Sequence, residues 1–275
     1  MDISWVESFF FGIISGLAEI LPVSAQAHQS ILLNLFGIYE YDPLFGFAAM
    51  GGSLLVYFFA VSSLFKRIRK DYRLSRSSRR KRAVNMQNVF DMNLLRTACI
   101  PLILGLLLYK KVSGWQQLAP VLSLFLAVNG VVLYIPSYFA KGNKDSRSMS
   151  GLDSLMIGVG SILGYVPGIS RIAACVSSAT LRGADPQQAL KWGLLLSVPA
   201  LLGMFLLEGY GILSAGLSVP EMGTTLKCLI VAVTSAIGTG IGIGMMKKLI
   251  LRSGLEGFAY YCWGAALFSF ILYMY

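Results

Sequence analysis

Long apolar runs separated by short polar joints constrain this chain more than any other feature. Residues 44–65, 92–109, 118–139, 189–207, 224–246 and 257–274 each read as an almost unbroken apolar stretch. Each is about the length a helix needs to cross a hydrocarbon core of ~30 Å. Within that core every backbone N–H and C=O must be satisfied internally, which leaves helices or a closed barrel. Runs this long, without alternation, select helices. Composition agrees: hydrophobic residues make up 56% and charged residues 13%, against about 25% charged in soluble domains. The expected fold is an all-α polytopic membrane protein with about six transmembrane spans and about ten helices. No basic stretch precedes the first apolar run, and the first Lys or Arg is Lys66, so no cleavable leader is expected. Cys99, Cys175, Cys228 and Cys262 all lie in apolar segments without metal-site spacing and are read as free core thiols.

Two further apolar pieces are too short or too broken to span. Residues 3–20 run up to Pro22, and a second piece covers 25–37. Residues 152–165 run up to Pro167-Gly168, and a polar-headed helix follows from Ser170 to about Leu181. Each pair reads as a re-entrant hairpin of two half-helices, over 3–37 and 152–181. A shift of 145 residues lays Pro22 on Pro167 and the span 44–65 on the span 189–207. The chain is therefore expected to divide into two repeats, 1–140 and 141–275.

Charge sets the expected orientation. The net charge is +10, yet ten basic residues crowd into 66–82 (Lys66, Arg67, Arg69, Lys70, Arg73, Arg76, Arg79, Arg80, Lys81, Arg82) against Asp71 alone. That distribution argues against a nucleic-acid partner. Cytoplasmic loops hold the excess of Lys and Arg, so the loop 66–82 is placed inside, with anionic-lipid contact as a secondary role. Counting spans puts Lys141, Lys144, Arg147, Arg182, Lys247, Lys248 and Arg252 inside as well. The N-terminus, Glu40, Asp42, Glu208 and Glu221 fall outside, and only Lys110 and Lys111 oppose the rule. One hairpin then enters from each side. Such inverted-topology repeats place their site near the midplane, where the broken helices meet.

Both breaks carry chemistry. His28 is the only histidine of the chain, and Glu19 is the only carboxylate between Glu7 and Glu40. Ionisable groups at membrane depth are expensive and point to function. Pro22 disfavours helix at Leu21, and Ser24 suits the N-cap of the next half-helix. The amides of Ala25, Gln26 and Ala27 are then left without intrahelical acceptors. At the other break Ser170 precedes Arg171 in the first helical turn. Two helix N-termini with a guanidinium between them suit an anion of several oxygens, with phosphate or pyrophosphate the best fit. Plainer readings stand beside these: Ser24 and Ser170 as caps only, Arg171 snorkelling to the surface, and Glu19 as a buried acid paired with Arg171. The glycines of 238–244 follow no strand and read as a small-residue packing face, not a nucleotide loop.

The stretch Gly16-Leu-Ala-Glu19-Ile-Leu-Pro22-Val-Ser24-Ala-Gln-Ala-His28 resembles the first signature of the bacterial undecaprenyl pyrophosphate phosphatases, the bacitracin-resistance family. Pro167-Gly-Ile-Ser170-Arg171, followed by Ser197-Val-Pro199-Ala-Leu-Leu-Gly203, resembles the second. The resemblance covers the whole chain. It implies an inverted-repeat membrane phosphatase that hydrolyses a C55 isoprenyl pyrophosphate to the monophosphate and so recycles the lipid carrier of cell-wall (peptidoglycan) synthesis. It also implies dependence on a divalent cation, Mg²⁺ or Ca²⁺, and a site open to the outer face of the cell membrane. Polyprenyl pyrophosphate and membrane lipids are the expected partners, and a homodimer is left open. The implied catalytic residues are His28, Glu19 and Arg171. Ser24, Gln26, Ser170 and Arg171 are expected to bind substrate, Glu19 to hold the metal or to orient His28, and His28 to act as nucleophile or as base for water.

The chain departs from the family pattern at several positions. Ser15 stands where the family carries the first of two glutamates, and Ala25 stands where it carries a serine proposed as nucleophile. Ile169, Ile172, Ala173 and Cys175 replace small or hydroxylated residues around the arginine. A non-catalytic polyprenyl-phosphate carrier of the same architecture is therefore the alternative reading.

Overall fold

A computed structural model of the chain describes residues 3–40, 42–76, 85–139, 142–215 and 221–274. These form ten α-helices and three short 3₁₀ turns: α1 Trp5–Ile20, α2 Ala25–Leu35, α3 Pro43–Arg76, α4 Met86–Val112, α5 Ala119–Tyr134, α6 Gly151–Ser161, α7 Arg171–Leu181, α8 Pro186–Ser214, α9 Met222–Ser253 and α10 Glu256–Met274. Among the described residues there is no β-strand. Helices α3, α4, α5, α8, α9 and α10 lie in segments long and apolar enough to cross a membrane.

The two expected hairpins are present. Helix α1 opens with a capping box, the Ser4 amide donating to the Glu7 carboxylate at 2.7 Å and the Glu7 amide to Ser4 Oγ at 3.2 Å. It stops at Leu21, whose backbone is extended (ψ 150°) as the following proline requires. With 16 and 11 residues, α1 and α2 extend about 24 and 16 Å at 1.5 Å per residue, so neither crosses the core alone. Helix α6 opens with a second capping box, Ser150 with Asp153. Gly168 sits at the break before α7 with φ +94°, where a Cβ would meet the Phe125 side chain at 2.6 Å.

Three segments differ from the sequence reading. The basic stretch is no loop up to residue 76: Lys66 to Arg76 continue α3, because Lys and Arg are good helix formers and need no apolar partner. Asn88 donates to Asp71 at 2.6 Å and Arg96 to the Tyr72 hydroxyl at 2.7 Å, tying this extension to α4. Arg79, Arg80, Lys81, Arg82 and Lys141, counted above for orientation, lie outside the described residues, as do the side chains of Arg76, Lys247 and Arg252. The α-helix of the third span ends at Tyr134 and tightens into a 3₁₀ turn over Ile135–Tyr138 at Pro136. The apolar piece 152–165 likewise closes as a 3₁₀ turn, Ile162–Tyr165.

Small residues seat the hairpins. Helix α1 runs along α9, with Gly12 against Val231 and Thr234, Gly16 against Ser235, Gly238 against Ile13 and Gly242 against Ile20. Gly240 and Gly244 face open space, so the packing stripe has helical spacing, as close approach of backbones in a membrane requires. Thr239 donates to the Gly16 carbonyl at 3.1 Å and is hydrogen-bonded to the Ser53 hydroxyl at 2.8 Å, and Ser235 donates to the Ala49 carbonyl at 2.7 Å, joining α1, α3 and α9. Helix α6 makes the corresponding contact with α4, where Gly158 lies against Ala98 and Pro101 and Ser154 donates to the Leu94 carbonyl.

Buried charges hold the open end of the α6–α7 hairpin. Asp153 pairs with Lys144 at 3.3 Å and Arg182 at 2.6 Å, and Asp91 pairs with Lys191 and accepts from Ser146. Lys144 and Arg182, read from sequence only as markers of orientation, therefore also pin this hairpin in place.

Candidate active site

Each hairpin tip delivers a half-helix N-terminus to the same interior point. Ser24 caps α2, accepting from the Ala27 amide at 3.4 Å, and holds φ +69°, a positive value among the non-glycine residues described. Such backbone strain persists only where the surroundings impose it, and it clusters at functional sites. Ser170 caps α7 in the same way, accepting from the Ala173 amide at 3.3 Å.

Asn129 joins the two breaks. Its side chain, on α5 and fully buried, donates to the Pro22 carbonyl at 3.0 Å and accepts from the Ser170 amide at 2.9 Å. Ser170 Oγ also reaches the Leu21 carbonyl at 3.5 Å. Backbone groups freed by one break are thus satisfied by a bridge to the other, as membrane interiors demand. Asn129 was not among the residues singled out from sequence. Its only signal there is an amide side chain inside an otherwise apolar span.

Arg171 and Glu19 form an ion pair across the tips, with side chains 11% and 8% exposed. Arg171 also donates to the Met204 sulfur at 3.3 Å, and Tyr57 donates to the Glu19 backbone carbonyl at 3.3 Å. The pair sits in a cavity lined further by Ser24, Ala25, Gln26, Gln29, Ser170, Gln116 and Glu208. Glu19, Ser24, Gln26, Ser170 and Arg171 of the expected site therefore converge. A buried ion pair compensates its desolvation poorly unless further partners complete it. A cavity with a guanidinium and two helix N-termini suits a multivalent anion.

His28 is placed elsewhere. It lines a separate apolar cavity with Leu17, Ile31, Leu32, Phe258 and Tyr261. The reason is helical spacing: Gln26 and Gln29 share one face of α2, whereas His28, Ile31, Leu32 and Leu35 share another. The expectation that His28 meets Glu19 and Arg171 in one cavity is thus not met in this geometry. Its Nδ1 donates to the Ser24 carbonyl at 2.8 Å, which leaves Nε2 to accept from the Tyr261 hydroxyl at 2.7 Å. The imidazole therefore steadies the backbone of the strained cap.

Of the positions that depart from the family pattern, Ser15, Ala25 and Ile169 are on the cavity wall. Ser15 is buried, donates to the Phe11 carbonyl at 2.5 Å and accepts from Gln29 at 3.1 Å. Ala25 offers no nucleophilic atom. Gln116 and Glu208 were not expected at the site, since sequence order places them on outer connections. Gln26 donates to Gln116 at 3.1 Å, and Glu208 accepts from Tyr109 and, at 3.5 Å, from Gln116. Among the described residues no three His, Cys, Asp or Glu side chains gather as a resident metal centre.

The family model described as bacitracin resistance protein BacA matches residues 8–268. An undecaprenyl-diphosphatase 2 of Halalkalibacterium halodurans is 27% identical over 98% of this chain and 96% of its own length. The undecaprenyl-diphosphatases of Alkaliphilus metalliredigens and Methanobrevibacter smithii are 28% and 25% identical, covering 94% and 98% of both chains.

Proposed function

The chain belongs to the BacA family of bacitracin resistance proteins, and from that membership and the cavity's geometry we propose how it acts. It is an integral membrane phosphatase that hydrolyses undecaprenyl pyrophosphate to the monophosphate and phosphate, returning the lipid carrier for cell-wall synthesis. The observation that carries the site assignment is the Glu19–Arg171 pair held between two half-helix N-termini.

The pyrophosphate takes Arg171 over from Glu19, and the guanidinium grips it bidentately. Free amides of α2, with Ser24 and Gln26, face the phosphate oxygens, and Ser170 sets the first turn of α7 behind Arg171. These donors are fixed before the reaction and stabilise charge as it grows in phosphoryl transfer. Water attacks the terminal phosphorus, the bridging P–O bond breaks, and phosphate leaves. Ala25 and the caps Ser24 and Ser170 offer no free nucleophile, so no covalent intermediate is invoked. His28 acts as a positioning residue that holds the Ser24 carbonyl.

The residues fit a divalent cation that arrives with the substrate, because such ions are often held by one or two carboxylates together with phosphate oxygens. Glu19, released from Arg171, would hold it, and the cation would neutralise charge on the phosphoryl oxygens.

The protein spans the membrane several times. We place it in the cell membrane with the basic stretch 66–82 cytoplasmic and the N-terminus outside, supported by the positive-inside rule. The cavity then opens outward, since Gln116 lies in the connection between α4 and α5 and Glu208 lies near the end of α8. We also read 1–140 and 141–275 as inverted repeats, a reading supported by the exchange in which α1 packs along α9 and α6 along α4.

The test is phosphate release from undecaprenyl pyrophosphate by the purified protein, with and without Mg²⁺ or Ca²⁺, beside Arg171→Ala and Glu19→Gln. Metal-dependent release that both substitutions abolish is expected. Folded wild-type protein that binds the lipid but releases no phosphate would overturn the enzyme reading in favour of a carrier.

A further inference from the structure

Hydrolysis by water needs a group to take the water's proton, and the deep cavity offers few. Glu19 pairs with Arg171 and, once released by the pyrophosphate, is committed to the cation that arrives with it. Ser15 donates to the Phe11 carbonyl and Ser24 caps α2. His28 faces the separate apolar cavity. One other carboxylate lines the cavity, that of Glu208, contributed by α8.

Three observations set Glu208 apart. Among the described residues it takes part in no ion pair. Tyr109 and Gln116 both donate to its Oε1, which orients the carboxylate and leaves Oε2 for a water. It also lines both the inner cavity with Glu19 and Arg171 and an outer cavity of about 370 Å³ with Lys110, Ser113 and Tyr210. Glu208 and Gln116 are the residues that these two cavities share.

We propose that Glu208 is a catalytic residue, the general base for the attacking water, held for that role by Tyr109 and Gln116. As the water oxygen bonds to the terminal phosphorus, Glu208 accepts the water's proton, the bridging P–O bond breaks, and its electron pair stays on the undecaprenyl phosphate oxygen. Glu208 then returns the proton to the departing phosphate or to solvent in the outer cavity. The hydrogen bond from Gln26 to Gln116 links this unit to the first turn of α2, so base and anion site are positioned together. The inference rests on the phosphatase reading above.

The decisive variant is Glu208→Gln, which keeps the shape and can still accept from Tyr109. Phosphate release is measured over a range of pH, with kcat and KM separated, and thermal unfolding is recorded for each protein. General-base catalysis is worth about 10²–10⁴-fold, so kcat should fall by that range with little change in KM. The wild-type rate should decline towards low pH as the base is protonated, and that limb should vanish in Glu208→Gln. The charged and titratable groups sharing the two cavities are Glu19, Arg171, Tyr109, Lys110 and Tyr210. Lys110→Gln and Tyr210→Phe should leave the limb in place. Glu208→Asp should restore part of kcat. An unchanged kcat and pH profile in Glu208→Gln would sink the proposal while leaving the phosphatase standing. So would a loss of activity that merely tracks lost stability with the acidic limb intact. Failure of the wild type to release phosphate would remove both readings.

Discussion

Replacing Asn129 with leucine tests whether the two helix breaks are held together as described. Leucine approximates the volume and removes every hydrogen bond. The amide of Ser170, whose hydroxyl caps α7, has Asn129 Oδ1 as its acceptor and would be left buried without a partner. An orphaned buried group costs about 1–3 kcal/mol. The Pro22 carbonyl keeps the Cys262 thiol at 4.0 Å, a weak donor, so its loss falls at the lower end of the same range, about 1 kcal/mol. Together the substitution should destabilise the protein by about 2–4 kcal/mol, a roughly 30- to 700-fold fall in the folded-to-unfolded ratio. The assay is SDS-induced unfolding in mixed micelles, beside phosphate release by the folded fraction. Release should also drop, because Arg171 follows directly on Ser170. Stability within about 0.5 kcal/mol of wild type, the ordinary scatter of a neutral substitution, with undiminished release would refute the bridging role.

Glu19→Gln and Arg171→Met should each destabilise by about 3–5 kcal/mol, since each leaves one buried charge uncompensated. The double variant should lose less than the sum, and simple additivity in the same unfolding assay would argue against the pair. Gly238→Ala drives a methyl group into the Ile13 carbonyl and should cost about 1–3 kcal/mol, whereas Gly240→Ala faces open space and should gain up to about 1 kcal/mol of helix propensity. Equal effects would contradict the packing of α1 on α9. His28→Ala should lower phosphate release more than Tyr261→Phe, because only the former removes the ring's hydrogen bond to the Ser24 carbonyl and leaves that oxygen the longer backbone bond alone. The reverse order would place the function of His28 in its apolar cavity.

Much of this fold is legible in one dimension because the membrane simplifies the problem. Each long apolar run had one structure open to it, and Pro22 and Pro167 mark the hairpin tips without any knowledge of contacts. Element ends were less legible where solvent replaces lipid. The helix carrying Lys66 to Arg76 continues past the apolar run because hydropathy reports the membrane boundary, not the helix boundary. The site was half legible. Glu19, Ser24, Gln26, Ser170 and Arg171 are visible as polar residues at breaks, and they do converge. His28 carried the same signal, but which face of α2 looks inward depends on how α2 lies against α1 and α10. Asn129 and Glu208 carried little signal, because an isolated polar residue inside a span or just past its end does not reveal what it faces.

The sequence by itself determined that this chain spans a membrane as helices, where those helices break, and that polar and charged residues gather at the breaks. These follow from local rules: apolar length, proline, capping residues and the cost of charge in hydrocarbon. Only the tertiary structure decided that Glu19 faces Arg171 across 152 residues of chain, that Asn129 ties the tips, that His28 turns away and that Glu208 comes in. Those outcomes depend on the rotation and depth of each helix against its neighbours, set by glycines and serines packing on residues far away in sequence. No local pattern records them.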